Sequence, residues 1–326
     1  MGKKDTITKD YMRDPVVFAD AFNQFLYHGR QVIKPENLVE RDTAEMILPY
    51  GNLSQTEPGA SVPEQKYRDE MKLLMTDGNV AYCILGEENQ SGIHYAMPVK
   101  NLAYDSMQLT RQVSDAAKSH KKEKAAKPTA EEYLSGFYKT DRLLPVITLT
   151  IYWGSEVWDA PLTLKEMYAD VDEEILQYAP DYQVNLIAPE RMSEEEIRQF
   201  QSSLREVMLY LKYAAEKEKL YQLTQEEPAF RHLDRQAAEV INVMTNSNLQ
   251  YPEGEEAVDM CMAIQQMREE SKEIGERIGE TRGEMKGTIQ TCQEFGISFQ
   301  ETISRIATKF LLPSEKAEEE VKKYWQ

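Results

Sequence analysis

Two acidic residues, Asp69 and Glu88, flank one predicted hairpin. They are the strongest candidates in the sequence for residues of an active site. Hydrolysis of a phosphodiester needs a polarised non-bridging oxygen, an activated water and a stabilised leaving oxygen. One or two divalent cations can supply all three. Mg²⁺ prefers one or two carboxylates together with water and phosphate oxygens. We therefore expect Asp69 and Glu88 to be metal ligands and catalytic residues, with Mg²⁺ or Mn²⁺ as the cofactor.

Three further residues are suited to the same site. Side chains alternate faces along a strand, so Gln90 points the same way as Glu88 and could bind the metal or hold the attacking water. Lys100, near the start of the next predicted helix, supplies the positive charge that Gln90 lacks. Tyr104 lies one turn later on the same face and could contact phosphate or orient Lys100. Taken singly, each of these residues is better explained as part of an ordinary strand end or amphipathic helix.

Hydrophobic periodicity and turn residues predict the elements that must position these side chains. The predicted elements are a helix over 11–29, strands over 71–75 and 80–85 around the turn 76–79, a helix from 99 to about 118, strands over 143–153 and 182–187, and a long helix over 194–219. Loops are predicted over 48–63 and 121–129. This order predicts a mixed α/β core over residues 10–225, with a central sheet flanked by helices.

From about residue 226 to 326 the pattern predicts a wholly helical C-terminal region. Glycines recur every fourth residue at Gly275, Gly279, Gly283 and Gly287. Each glycine costs about 1 kcal/mol in a helix relative to alanine, so a flexible helical connector is favoured over two closely packed helices. Residues 295–325 predict a small helical hairpin. A second copy of the chain is a candidate partner for these helices.

Composition excludes several classes of protein. The chain has 326 residues, and its three cysteines and four histidines show no spacing typical of a zinc site. Neither a secretory signal nor a membrane span is expected. The cysteines suggest no disulfide framework, so a reducing cytoplasm is the expected compartment. The net charge of −18 opposes general nucleic-acid binding. The basic stretch 118–127 is interpreted as a solvated loop in preference to a DNA-binding patch.

Three other residues have competing interpretations. Asp20, on the first predicted helix, could join the metal site, but a solvated helix face is favoured. Trp153 and Trp158 flank a turn, where packing is favoured over stacking on a base.

Several short strings resemble one family. They are Phe18-Ala19-Asp20-Ala21-Phe22-Asn23, Lys34-Pro35-Glu36, Arg41-Asp42-Thr43, Tyr67-Arg68-Asp69, Leu85-Gly86-Glu87-Glu88-Asn89-Gln90-Ser91, His94-Tyr95-Ala96-Met97-Pro98-Val99 and Leu144-Pro145-Val146-Ile147-Thr148-Leu149. Together they resemble the Rpn family of bacterial recombination-promoting nucleases, also labelled transposases, within the PD-(D/E)XK nuclease superfamily. The resemblance covers most of the chain, and the string around Glu88 is its most specific part.

The resemblance implies a restriction-endonuclease-like core and Mg²⁺-dependent cleavage of DNA, in recombination or mobile-element biology. Asp69 and Glu88 match the two motif acids, and Gln90 stands where the superfamily usually has lysine. Lys100 and Tyr104 match an arginine and a tyrosine of the family's helix. Lysine contacts phosphate as a point charge, whereas the guanidinium group of arginine can bind it with two parallel hydrogen bonds.

A metal-dependent DNA endonuclease is therefore the expected function. One alternative is a catalytically degenerate relative that acts as a binding or regulatory module. A second is a structural protein that oligomerises through its helical tail. Strand joining by a full transposase is less favoured, since the sequence offers no basic helix-turn-helix.

Overall fold

Five strands form the central sheet of this protein in its computed structural model. The structure describes residues 2–41, 44–47, 64–67, 69–123, 128–252 and 254–325. The strands are β1 (Leu38–Glu40), β2 (Ala44–Ile47), β3 (Glu64–Tyr67), β4 (Glu70–Met75), β5 (Ala81–Gln90), β6 (Val146–Tyr152), β7 (Asn185–Ile187), β8 (Leu233–Asp234) and β9 (Ala257–Val258). The sheet order is β1-β4-β5-β6-β7, while β2 pairs with β3 and β8 with β9.

Helices flank this sheet and form the C-terminal region. They are α1 (Lys3–Met12), α2 (Pro15–Tyr27), α3 (Met97–Glu123), α4 (Ala130–Ser135), α5 (Glu173–Leu176), α6 (Glu194–Ile197), α7 (Leu204–Tyr213), α8 (Lys217–Glu226), α9 (Arg235–Thr245), α10 (Met260–Glu294), α11 (Phe299–Lys309) and α12 (Ser314–Tyr324). Strands β1, β4 and β5 are antiparallel, and β5, β6 and β7 are parallel. The predicted mixed α/β fold is therefore confirmed.

Strand β5 is longer than the sequence predicted. The apolar run suggested an end near Leu85, but pairing continues to Gln90. Residues Gly86 to Gln90 pair in parallel with Thr148 to Tyr152 of β6, and β4 pairs with β5 as far as Glu87. Because neighbouring strands satisfy the backbone on both sides, polar residues can remain in the strand. Glu88 consequently lies inside the sheet.

The predicted helix over 11–29 is two helices, α1 and α2. Asp14 caps α2 by accepting a hydrogen bond from the Val16 backbone N–H at 2.7 Å, and Pro15 occupies the first turn. A capping acid followed by proline is a strong helix start. The chain therefore restarts a helix where hydrophobic periodicity alone suggested continuity.

The solvated position favoured for Asp20 is wrong. Its side chain is 2% exposed, and its Oδ2 accepts hydrogen bonds from Gln201 N, Ser202 N and Ser202 Oγ at 2.9, 2.7 and 2.6 Å. Asp20 therefore anchors the segment 201–202, and this anchoring replaces the metal role considered for it.

The single helix predicted over 194–219 is also wrong. Helix α6 ends at Ile197, α7 begins at Leu204 and ends at Tyr213, and α8 begins at Lys217. The break after α6 contains the backbone N–H groups that bind Asp20. These donors are used by a carboxylate far away in sequence, which a local helical pattern cannot reveal.

Helix α3 extends beyond its predicted end. It reaches Glu123, so residues 118–123 of the basic stretch are helical and the predicted loop is wrong there. Residues 124–127, like the whole of the predicted loop 48–63, lie outside the described residues.

Two compact units divide the chain, Met1–Cys261 and Met262–Gln326. The β8–β9 pair shows that the region after residue 226 is not wholly helical. Helix α10 is continuous through all four spaced glycines, and a Cβ built at any of them has no atom within 4 Å. The predicted hairpin is present as α11 and α12, which bury Ile306 and Val321 in a cluster with Met285 and Ile289 of α10.

Among the described residues, no helix combines the length and apolar character needed to cross a membrane.

Replacing Asp20 by alanine should destabilise the first unit by about 2–4 kcal/mol, because three donors lose their shared acceptor. Urea unfolding followed by circular dichroism measures this loss. The matched control is Asp10→Ala, whose side chain is 52% exposed in a surface ion pair. That control should change stability by less than about 0.5 kcal/mol. Equal effects of the two substitutions would contradict the anchoring role.

Candidate metal centre

Asp69, which directly precedes β4, and Glu88 of β5 lie opposite each other. In the β4–β5 register Glu70 faces Glu87, and continuing that register by one residue brings Asp69 opposite Glu88. Directly opposed residues of antiparallel strands have Cβ atoms about 4.5–5.5 Å apart on one face. The Asn89 backbone N–H also donates to Asp69 Oδ2 at 2.8 Å. The fold thus brings the two predicted ligands together.

Lys100 reaches this pair from the first turn of α3. Its Nζ lies 2.7 Å from Glu88 Oε2, and its side chain is 18% exposed. The same Nζ lies 5.9 Å from the centroid of the Tyr104 ring, which is within range of a cation–π contact. Tyr104 is only 3% exposed. This arrangement favours Tyr104 as the residue that orients Lys100.

Gln90 lies at the end of β5, on the face that Glu88 occupies, and is half-buried. Its backbone carbonyl accepts a hydrogen bond from Trp153 N at 2.9 Å, which fixes the strand end. All five predicted site residues, Asp69, Glu88, Gln90, Lys100 and Tyr104, therefore lie at one end of the β4–β5 pair. Their chemical roles stay predictions.

Asn89 connects the site to the opposite face of the sheet. Its Nδ2 donates to Glu87 Oε2 at 3.0 Å, and its Oδ1 accepts a hydrogen bond from Trp153 Nε1 at 2.6 Å. Trp153 is 1% exposed and meets Tyr11 edge to face, so the predicted packing role is confirmed. Asn89 and Glu87 were missed by sequence reasoning, although strand alternation indicates that they share a face.

Burial makes the carboxyl groups of Asp69 and Glu87 difficult to ionise. Burial, followed by the negative charge of Glu88, raises the pKa of Asp69 to about 6, against the lowering effects of the Asn89 N–H, Lys100 and Lys9. Glu87 is wholly buried, and burial together with the charges of Asp69 and Glu88 raises its pKa well above the ordinary value. Both shifts arise chiefly from burial, and the neighbouring acids add to them.

The donor set is suited to a hard divalent cation. Glu88 Oε1 is buried and has no hydrogen-bond partner among the described residues. Within that part of the chain no three His, Cys, Asp or Glu residues are arranged to hold a metal. The protein would therefore offer two carboxylates, which suits Mg²⁺ or Mn²⁺, since Mg²⁺ commonly keeps water and substrate phosphate as its remaining ligands. A closed zinc site needs more protein ligands.

Polar side chains hold α3 against β6 beside the site. Asn101 Nδ2 donates to Thr150 Oγ1 at 2.9 Å. Thr148 Oγ1 donates to Asp105 Oδ1 at 2.5 Å, and Tyr182 donates its hydroxyl to Asp105 Oδ2 at 2.6 Å. An interface between a helix and a central strand is usually apolar, so nothing in the sequence pattern indicated these contacts.

A protein-family model described as "Putative transposase, YhgA-like" matches residues 71–240, which is more than half of the chain. The chain belongs to this family. The match agrees with the family resemblance found in the sequence, and it includes Glu88, Gln90, Lys100 and Tyr104. Comparison with curated proteins and with solved structures finds no match.

Replacing Asp69 by asparagine should change how stability depends on pH. With the folded pKa raised to about 6 from 3.8, the protonated acid is favoured in the fold. Its stabilising contribution is complete below about pH 4 and is lost as the pH rises through 6. The variant cannot ionise, so it should gain up to about 3 kcal/mol over the unsubstituted protein between pH 4 and 7. Urea unfolding at several pH values measures this gain.

The matched control is Asp77→Asn. Hydrogen bonding to Asn37 and the charge of Lys34 lower the pKa of the exposed Asp77 carboxyl. That substitution should therefore have the opposite sign, because the contribution of Asp77 is complete above about pH 4 and is lost only as the pH falls further. The variant should be less stable than the parent by a nearly constant amount from about pH 4 to 7. A flat difference between Asp69→Asn and the parent protein from pH 4 to 7 would contradict the buried, charge-coupled state of Asp69.

Proposed function

We propose that this protein is a metal-dependent DNA endonuclease that hydrolyses phosphodiester bonds at the end of the β4–β5 pair. The observation that carries the proposal is the opposition of Asp69 and Glu88, with one Glu88 oxygen on Lys100 and the other buried and unpaired among the described residues. Two carboxylates and an ammonium group in one partly exposed place are the components that phosphodiester hydrolysis requires.

Each residue of the site has a distinct task in this proposal. Asp69 and Glu88 would hold Mg²⁺ or Mn²⁺, which when bound polarises a phosphate oxygen and activates water. Gln90, on the same face and more exposed than Glu88, positions the water through its amide. Lys100 meets the negative charge of the phosphate, and Tyr104 keeps the ammonium group directed towards Glu88.

DNA is the proposed substrate because the family is described as transposases, which act on DNA. The net charge of −18 opposes non-specific, long-range attraction of DNA. Local cations must therefore provide the contact with phosphate. Lys100 lies in the site itself, and the charge of Lys9 acts on Asp69 and Glu87 from α1.

Replacing either acid by its amide should abolish cleavage. We expect Asp69→Asn and Glu88→Gln each to lower the rate of nicking of supercoiled plasmid in Mg²⁺ or Mn²⁺ by more than about 100-fold. Substitutions of residues that only hydrogen-bond to metal ligands already lower metal affinity or activity by about 10–100-fold. Glu174→Gln, an exposed acid on α5, is the matched control and should keep full activity. Full activity in either acid variant would refute the proposed site.

The charge and shape of Lys100 can be tested separately. Lys100→Arg keeps the positive charge and should retain cleavage within about 10-fold, because both cations bind phosphate. Lys100→Met leaves Glu88 buried without its partner, so it should lose cleavage and destabilise the fold by about 3–5 kcal/mol. Plasmid nicking and urea unfolding measure the two effects. Equal cleavage by the arginine and methionine variants would argue against a role for this charge.

A further inference from the structure

Glu88 and Asn101, at the first turns of α3, each have a buried acceptor oxygen without a hydrogen-bond partner among the described residues. These oxygens are Glu88 Oε1 and Asn101 Oδ1. Glu88 is 1% exposed and Asn101 is 0% exposed, so bulk water does not satisfy either oxygen. Buried polar atoms in folded proteins are almost always paired, and an exception indicates a bound water, an ion or a functional role.

Glu88 and Asn101 are connected to the same pair of sheet positions, Glu88 in β5 and Thr150 in β6. Glu88 of β5 is the register partner of Thr150 of β6, and adjacent strands are about 4.8 Å apart. Asn101 donates to Thr150 Oγ1, while its neighbour Lys100 pairs with Glu88 Oε2. The first turns of α3 therefore place the Asn101 amide and the Glu88 carboxylate on the same side of two paired sheet positions.

A cation accounts for both oxygens better than a purely structural role for Asn101. If the amide served only to bond Thr150, an apolar pair would fill the space without leaving an acceptor unsatisfied. An amide oxygen is a hard ligand that Mg²⁺, Mn²⁺ and Ca²⁺ accept. Being neutral, it adds a donor without adding to the negative charge of the two carboxylates.

We propose that Asn101 is a further oxygen donor of the cation site, together with Asp69 and Glu88. The inference rests on the metal site of the proposed function. It supplies the third protein donor, because the described residues offer no third His, Cys, Asp or Glu in a suitable arrangement. One donor directly precedes β4, one lies in β5 and the third in the helix, so the cation would tie α3 to the sheet.

The test measures Mn²⁺ binding to the full chain at pH 8 without DNA, by calorimetry and by electron paramagnetic resonance. Asn101→Leu removes the oxygen donor and should weaken binding by about 10–100-fold. Asn101→Asp keeps an oxygen and adds a charge, so it should tighten binding by about 10-fold. Glu88→Gln establishes whether the binding belongs to the proposed site.

Gln112 provides the matched control on the same helix. It bonds both backbone groups of Leu144 and lies about 16 Å from Asn101 along α3. Gln112→Leu and Gln112→Glu should leave Mn²⁺ affinity within about twofold of the parent. If Asn101→Leu does not fold, as judged by circular dichroism, the aspartate variant decides alone.

The outcomes distinguish a failure of the Asn101 inference from a failure of the proposed nuclease function. If Glu88→Gln abolishes Mn²⁺ binding while both Asn101 variants bind like the parent, Asn101 is not a donor and the two-carboxylate site stands. Weaker binding by Asn101→Asp also overturns the inference. If the parent protein does not bind Mn²⁺ at millimolar concentration, the inference and the proposed nuclease fail together.

Discussion

The antiparallel register of β4 and β5 is the constraint on which the site depends. It brings Asp69 opposite Glu88, and a slip of one residue would turn either side chain to the other face of the sheet. Asn89 secures this register at the strand end, since its backbone N–H binds Asp69 while its side chain joins Glu87 and Trp153. A single residue thereby links the acid before β4, the strand β5 and the aromatic packing behind the sheet.

Electrostatic strain accompanies this arrangement. Asp69, Glu87 and Glu88 lie close together in a buried region, and the resulting pKa shifts of Asp69 and Glu87 are upward. Buried carboxylates destabilise a fold unless they are paired, hydrogen-bonded or bound to a cation. Lys100 pairs with one oxygen of Glu88 and, together with Lys9, lowers the pKa of Asp69 against the larger effect of burial. A bound divalent cation would relieve the same strain, which connects the stability of the fold with the proposed chemistry.

The polar interface between α3 and β6 has a related consequence. Asn101 and Asp105 bind Thr150 and Thr148, two positions of β6 on the same face. Apolar residues could pack there at least as stably, but directional hydrogen bonds fix the axial position of a helix more closely than apolar contacts do. Because Lys100 precedes Asn101 directly, the position of α3 determines where its ammonium group meets Glu88. Because the net charge of the chain is −18, contact with a phosphate depends on cations placed locally, such as Lys100, and not on the overall charge.

The sequence by itself determined the family, the mixed α/β class, the turn 76–79 and the strands β4 and β6, because apolar patterns and turn residues act over a few neighbouring positions. It also indicated Asp69, Glu88, Gln90 and Lys100 as candidate site residues, from their types and their spacing along the chain. Tertiary structure alone decided that Asp20 is buried against residues 201–202, that β5 continues through polar residues, and that Asn89 and Asn101 adjoin the acids. Each of these depends on a hydrogen-bond partner distant in sequence. The burial of a polar side chain is decided by that partner, which no local pattern contains.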